Sequence, residues 1–334
     1  MPIQELASLR PGLNSIWEKL CLASSRQTTL VEDAAYSLLS IFSVSGISAI
    51  YGEGEKALGR LLAHILAVSG DTSILAWTGQ SGGHNSCLSA HITVFTRPAT
   101  SHLPKPIEDG EMETKITELR SSALDLDLAA KLYDRLNGLP APWFAASRMK
   151  LPCVAFKLPT LSSPSRAGSA RVYRVETPFF GMVEIKTKQD PTRSNSLYLV
   201  HPWLNVLLDR EDTQTDAFVD DEEASLPDTD DEEEDDEDDA MEENEDDSPL
   251  LRERKSPSPF ARVETVPLDR ETRALRLIAR LRQPFGALLL PLTSTRRRAV
   301  VYKRVAADAE IKVQLQENVP LGDILDNVRI LDVL

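Results

Sequence analysis

The chain has few cysteines, no long apolar stretch and no leader-like start. Only three cysteines occur among its 334 residues, and their wide spacing favours a reducing compartment over a disulfide framework. No run of about 18 apolar residues is present, so we expect no transmembrane helix. The amino-terminal residues lack the basic-then-apolar pattern of a secretory signal. We therefore expect a cytoplasmic protein without a membrane partner, with the nucleus as the alternative compartment.

One segment accounts for the net charge of −15. The run from Asp220 to Asp247 has 20 acidic residues among 28 and no lysine or arginine. Since this run carries −20, the remainder of the chain carries +5. Residues 209–262 are of low complexity, and burial there cannot offset the entropy of ordering, which predicts a disordered linker. Charge attraction to basic proteins is one function open to the acidic run, but a solvated linker without a particular partner is favoured. Nucleic-acid binding by the remainder is not favoured.

The densest structural signals lie in residues 29–77. Thr29 and Glu32 have the T-x-x-E spacing of a capping box, which predicts the start of a helix that ends at Gly46. A second apolar face runs from Ala57 to Leu66, and Gly70 follows it as a C-terminal stop. We expect the two helices to pack as a hairpin with Tyr36 against it. Residues 73–77 (SILAW) are predicted to form a short buried strand.

Two motifs in this stretch resemble the segment that follows the HET domain in fungal heterokaryon-incompatibility proteins. They are residues 22–42 (LASSRQTTLVEDAAYSLLSIF) and 51–65 (YGEGEKALGRLLAHI), followed by SGDTSILAW at 69–77. Cys21 and Leu22 stand at the start of the first motif, where family members usually have a tryptophan. The likeness covers the first hundred residues and, loosely, 140–156. It implies a role in non-self recognition and cell death. We expect the HET domain itself to lie upstream of this chain, so its activity does not transfer.

The fold class predicted from the whole chain is α+β. The sequence divides into a helical region (1–97), a loop and connecting helix (98–142), a β-rich part (143–208), the acidic linker (209–262) and a continuation of the β-rich part (263–334). An N-terminal helical hairpin is thus followed by an antiparallel β-rich domain with a disordered insertion. Predicted strands, marked by period-two alternation or short apolar runs, are 88–95, 152–156, 171–176, 182–186, 197–200, 285–290, 299–305 and 311–315. Predicted helices cover 124–136 and 268–281, and 321–334 is predicted to form either a short helix and strand or a frayed end.

Two glycine-rich motifs have a catalytic or cofactor-binding alternative. Residues 52–57 match the G-x-G-x-x-A dinucleotide turn, but Glu53 and Glu55 would repel a pyrophosphate, so a tight turn before a helix is favoured. Residues 79–83 match the G-x-S-x-G nucleophile elbow around Ser81, but no convincing helix follows. A polar loop is therefore favoured over a serine esterase. An enzyme of hydrolase or NAD-handling type stays open as an alternative.

Two further groups of residues have a composition typical of a metal site or of an acid–base catalytic pair. His84, Cys87 and His91 have H-x2-C-x3-H spacing, but structural zinc takes four ligands and Cys21 or Cys153 would have to complete the set. We expect His84 in a loop and His91 in a strand instead. Glu32 and Asp33 are adjacent on a helix and diverge, which favours capping over acid–base catalysis. The sequence thus predicts no catalytic, cofactor-binding or metal residue, and favours a non-catalytic scaffold, with an acidic-tract binder of basic proteins as the alternative.

Overall fold

The computed structural model describes residues 15–96, 107–122, 124–194, 196–203, 269–294 and 300–334. These residues belong to one of two compact units, and the other unit, Arg210–Pro267, lies outside them. The prediction of a disordered acidic linker therefore falls outside the described residues. Within them, no helix has both the length and the apolar character needed to cross a membrane.

Seven α-helices are described. In chain order, α1 to α7 are Ile16–Ala23, Asp33–Tyr36, Lys56–Ser69, Asp109–Ser121, Leu126–Asn137, Arg270–Leu281 and Leu321–Asp326. Three short 3₁₀ helices occupy Thr72–Leu75, Ile92–Thr96 and Pro191–Arg193. A capping box lies at Ser15 and Glu18, whose side chains and backbone amides bond reciprocally at the start of α1.

Ten strands complete the fold. In chain order, β1 to β10 are Trp143–Ala145, Arg148–Lys157, Ser165–Ala167, Ala170–Thr177, Gly181–Thr187, Leu197–Pro202, Phe285–Ser294, Val300–Tyr302, Ile311–Val313 and Val328–Val333. The main sheet runs β1-β2-β10-β8-β7-β6, with β9 on β7, and β6 also pairs with β2 so that the pairings close on themselves. All of these pairs are antiparallel except β10 with β8, which is parallel. Strands β3, β4 and β5 form a separate antiparallel sheet.

Both faces of the main sheet are buried, and the alternation of side chains along β2 shows how. Leu151 and Cys153 belong to one hydrophobic core, which we call the amino-terminal core, together with the inner faces of α1 and α3. Val154 and Phe156 belong to the other, the helical core, with α4 to α7 and the β4–β5 hairpin. Since successive side chains of a strand point to opposite faces, one strand serves both cores.

Much of the predicted secondary structure is confirmed. The predicted strands at 152–156, 171–176, 182–186, 197–200 and 285–290 lie on β2, β4, β5, β6 and β7. The 299–305 and 311–315 predictions contain the shorter strands β8 and β9. The helix predicted at 124–136 is α5, the one at 268–281 is α6, and 321–334 forms α7 and β10. The second helix of the expected hairpin is α3, and Gly70 follows it with φ +66°. The α+β class is confirmed.

The prediction of the first helix of the hairpin is wrong except for a single turn. Helix α2 covers only Asp33–Tyr36, and the chain continues in turns in which Ser43 and Gly46 have φ of +52° and +83°. The Thr29–Glu32 capping box is also wrong. Glu32 has helical backbone angles, and α2 has no side-chain cap. The carboxylate of Glu32 instead accepts a hydrogen bond from the amide of Gly52, twenty residues away. A long-range bond therefore replaces the local one.

Two predicted strands are 3₁₀ helices instead, and one helix was not predicted. The predicted strand 73–77 overlaps the 3₁₀ helix Thr72–Leu75. The carboxylate of Asp71 caps this helix by accepting a hydrogen bond from the amide of Ser73. Residues 88–95 overlap the 3₁₀ helix Ile92–Thr96, and Ser89 makes only an isolated bridge to Ser81. Helix α4 was missed, although it buries a set of side chains at helical spacing, Met112, Ile116 and Leu119.

Candidate functional site

The two motifs that carry the family resemblance meet in space. Glu32 accepts a hydrogen bond from the Gly52 amide at 2.8 Å, and the Tyr36 hydroxyl donates to Glu53 Oε1 at 2.5 Å. Arg60, one turn into α3, donates to the same Glu53 oxygen at 2.7 Å. We call Glu32, Tyr36, Glu53 and Arg60 the corner network. It joins residues of the first motif to residues of the second by charge-assisted bonds.

Glycine is needed in the corner for its backbone conformation. Gly52 and Gly54 have φ of +87° and +57°, in the left-handed region that side chains disfavour. No atom lies within 4 Å of where a Cβ would sit at either residue. The constraint is therefore conformational and not steric. Glu53 lies between these two glycines, and its side chain contacts Tyr36 and Arg60.

The corner network also bonds the segment 44–50 that precedes it. The Tyr36 hydroxyl accepts a hydrogen bond from the Ile50 amide at 2.7 Å, and Arg60 donates to the Ser48 carbonyl at 3.0 Å. Segment 44–50 has no strand partner among the described residues. Side-chain bonds from Tyr36 and Arg60 therefore hold backbone groups of this segment that no strand pairing satisfies.

The electrostatics of the corner favour a charged Glu53 carboxylate bonded by Tyr36 and Arg60. Burial acts to raise the pKa of Glu53, but bonds from Tyr36 and Arg60 outweigh it and hold that pKa below its ordinary value. Burial, followed by the bond to Glu53, raises the pKa of Tyr36. Burial and the charge of Arg60 lower the pKa of His84 nearby. At neutral pH the carboxylate is thus charged and doubly bonded, and its contribution to stability is lost as the pH falls through its folded pKa.

Large apolar side chains are exposed around the corner. Leu30 and Val31 precede Glu32, and Ile50 and Tyr51 precede Gly52; all four are between 45% and 71% exposed. The Glu32–Gly52 bond brings the two pairs together, and the rings of Tyr36 and Tyr51 lie 6.2 Å apart at 74°. We call Leu30, Val31, Ile50 and Tyr51 the apolar rim. Clustered exposed apolar residues are typical of interaction surfaces, whereas single ones are ordinary.

The dinucleotide and esterase alternatives lack their structural context. Segment 44–50, before Gly52, forms no strand, so the strand–turn–helix arrangement of a dinucleotide turn is not formed. In the 79–83 loop, Ser81 bridges Ser89, and the Gly82 amide donates to the Leu88 carbonyl at 2.7 Å. No strand precedes Ser81 and no helix follows it directly, so it does not lie on a strained elbow.

The three residues with zinc-like spacing are placed in different environments. Cys87 is fully buried, and burial raises the pKa of its thiol to about 12. The Cβ of His84 lies 2.4 Å from where a Cβ on Gly59 would sit, so His84 packs on α3. His91 is exposed and precedes a 3₁₀ helix, where a strand was predicted. In the described ranges, no three His, Cys, Asp or Glu side chains are grouped as a metal site.

A buried arginine that was not predicted from the sequence ties the 75–87 region to the sheet. Arg304 is 5% exposed, and its guanidinium donates to the carbonyls of Leu75 (2.8 Å), Cys87 (3.3 Å) and Trp77 (2.7 Å). It lies 3.9 Å from the centre of the Trp77 ring. Burial lowers its pKa to about 10, which leaves it charged at neutral pH. The only sequence signal is the adjacent pair Lys303 and Arg304 inside the otherwise apolar run 299–307.

Asn85 secures the same loop to the carboxyl-terminal strand. Its amide nitrogen donates to the carbonyls of Val333 and Ser147, both at 2.9 Å, and its oxygen accepts from the Cys87 amide at 2.9 Å. The Ser86 amide donates to the Leu334 carbonyl at 2.8 Å. The loop that contains the esterase-like motif therefore has a structural role.

Replacing Tyr36 with phenylalanine is expected to lower the free energy of unfolding by about 1 kcal/mol, because Glu53 and the Ile50 amide lose a hydrogen-bond partner in a partly buried site. Urea unfolding followed by circular dichroism measures this change. Tyr51→Phe, at a residue that is 71% exposed, is the matched control and should have almost no effect. Equal losses in the two variants would contradict the importance of the Tyr36 hydroxyl.

Comparison with known proteins assigns no family to the chain. No protein-family model, no curated protein and no solved structure matches it.

Proposed function

We propose that this chain is a non-catalytic interaction scaffold that acts in fungal heterokaryon incompatibility, beside a HET domain supplied by another chain. One observation carries the proposal: the two motifs of the family resemblance form a single bonded corner. Glu32 bonds Gly52, and Tyr36 and Arg60 bond Glu53. The motif residues thus serve to build a surface, since their polar groups are used within the chain.

The state of the corner supports a scaffold over a catalyst. A catalytic carboxylate needs an oxygen in reach of substrate and a pKa near the working pH. The side chain of Glu53 is 10% exposed, its Oε1 accepts two bonds, and its pKa is lowered. Nothing in this arrangement prepares Glu53 to accept a proton at neutral pH.

The apolar rim supplies the surface with which a protein partner would pack. Tyrosine is enriched among residues that dominate interface energies, and Tyr51 is the most exposed member of the rim. The rim surrounds a turn that the positive φ of two glycines and the bonds of the corner network define. A surface that is already ordered costs little conformational entropy on binding.

The proposal is tested with substitutions that change the rim and leave the corner network intact. Val31→Asp and Tyr51→Asp place a charge in the rim. Val68→Asp, at a site 76% exposed, is the matched control. It lies twelve residues beyond Lys56 on α3, which is about 18 Å along the helix. All three variants are first checked for an unchanged thermal melt.

The rim variants should lose co-precipitation with HET-domain proteins and weaken the cell-death response when expressed in a fungal strain that undergoes incompatibility. Val68→Asp should retain both. Retention of both by the rim variants, or an equal loss in the Val68 control, would contradict the proposal.

The charge distribution favours a second candidate, in which the acidic run binds basic proteins. The run carries −20 over 28 residues, against +5 on the rest of the chain. Such attraction weakens with salt because exposed charges are screened. The test compares pull-downs by the full chain and by a variant lacking residues 220–247 over a salt series. At low salt the full chain should recover basic proteins that the deletion variant does not, and at high salt this difference should disappear. Identical partners in both would exclude this candidate.

A further inference from the structure

A groove lies on the helical side of the fold, away from the residues of the corner. A cavity of about 530 Å³ is lined by α4, the end of α6 and the segment after β9. A second cavity of about 480 Å³ shares Ser122, Arg282 and Glu317 with it. We call the two together the Arg282 groove. Volumes of this size are typical of small-molecule sites.

Arg282 is the charged group at the junction of the two cavities. It is half-buried, and its guanidinium donates to the Glu317 carbonyl at 3.1 Å. No carboxylate of the described residues lies within ion-pair distance of it. Its own carbonyl accepts from the Gln314 side chain at 3.1 Å, which fixes the backbone. Burial lowers the pKa of Arg282, with Glu317 acting in the opposite direction, and the group remains charged.

A second polar group accompanies the arginine. The side-chain oxygen of Gln283, which lines the larger cavity, is buried and has no hydrogen-bond partner among the described residues. A buried acceptor without a donor is costly. A ligand that places an N–H or O–H there would therefore gain a hydrogen bond at a position that is already desolvated.

The other residues that line the larger cavity determine which class of anion it favours. Leu119, Ala279 and Leu315 are buried residues that give the cavity apolar surface. Glu111, Glu118 and Glu317 also line it and would repel a phosphate or another dianion. Lys115 is already paired with Glu111 at 3.0 Å. One arginine, surrounded by carboxylates and apolar surface, favours a single negative charge on an apolar body.

We propose that the Arg282 groove binds a small monocarboxylate of the N-acyl amino acid class. The carboxylate bonds the guanidinium of Arg282 in the forked geometry that arginine favours. The amide N–H reaches the oxygen of Gln283, and the apolar side chain packs on Leu119 and Leu315. The simpler account of Arg282 is that its charge compensates the C-terminal end of α6. That account explains the arginine but neither the cavity nor the unpartnered Gln283 oxygen.

The test uses the full chain and N-acetyl-leucine as the probe, with calorimetric titration as the measurement. Saturable binding is expected. N-acetyl-leucinamide, which lacks the carboxylate, should bind at least tenfold more weakly, because a bond to a charged group is lost. This comparison needs no variant and remains valid if a substitution in the groove disturbs folding.

Variants then locate the site. Arg282→Gln should weaken binding of N-acetyl-leucine at least tenfold, and Gln283→Leu should weaken it severalfold. Arg120→Gln, on the exposed side of α4 where Arg120 donates to Thr272, is the charge-matched control and should bind as the native chain does. The proposal is overturned by the absence of saturable binding up to about 10 mM probe, by equal binding of acid and amide, or by unchanged binding in a folded Arg282→Gln variant.

Discussion

Replacing Arg304 with methionine is expected to lower the free energy of unfolding by about 3 kcal/mol. The substitution leaves the carbonyls of Leu75, Trp77 and Cys87 without their donor, and each buried unsatisfied acceptor costs about 1–3 kcal/mol. The stacking on the Trp77 ring is lost as well. Removal of a buried charge recovers some desolvation energy, so the net loss is smaller than the sum of these terms.

Urea unfolding at pH 7, followed by circular dichroism, measures this loss as a lower midpoint. Lys303→Met is the matched control, because it removes a positive charge from the exposed neighbouring residue. It should change stability by no more than about 0.5 kcal/mol. Arg304→Lys keeps the charge, yet a single ammonium cannot reproduce the forked donors, so it should also be destabilised. A native-like midpoint for Arg304→Met would show that the three carbonyls do not depend on the guanidinium.

Leu62→Ala is expected to cost about 2–5 kcal/mol, because it removes a fully buried side chain from α3 where that helix packs on the sheet. The cost combines lost apolar burial with the cavity left behind. Val68→Ala on the same helix, at a site 76% exposed, removes no buried side chain and should stay within about 0.5 kcal/mol.

The same unfolding experiment tests the architecture. The amino-terminal core contains residues of α3 and of β2, β7 and β10. Loss of Leu62 should therefore lower the unfolding midpoint of strand and helix signals together. A Leu62→Ala variant that unfolds in two steps, with the strand signal unchanged, would contradict one shared core.

Local signals predicted the parts of the fold that local contacts determine. The β4–β5 hairpin was predicted from alternation, and its register pairs Val172 with Lys186 and Val175 with Val183 across a short turn. Helix α6 was predicted from its spacing and has Asp269 as its cap. In both elements, the residues that decide the structure are neighbours in the sequence.

The failures occur where long-range partners compete with local ones. Glu32 matched a capping box, but its carboxylate bonds Gly52 twenty residues away, and α2 ends after one turn. The turn at Gly52–Gly54 was predicted from its glycines, yet the bonds of Glu53 to Tyr36 and Arg60 were not. Arg304 was missed because its three acceptors lie 217 to 229 residues away. No local pattern encodes such a pairing.

The position of β10 has a consequence for synthesis of the protein. Residues 328–333 lie between β2 and β8 and cover one side of β2 along Met149–Val154. A nascent chain that ends at β9 has β2 with one bonding edge open, next to the apolar Leu151 and Val154. Such edges and apolar surfaces favour aggregation. The nascent protein is thus a natural client for chaperones from the emergence of β2 until the translation of β10.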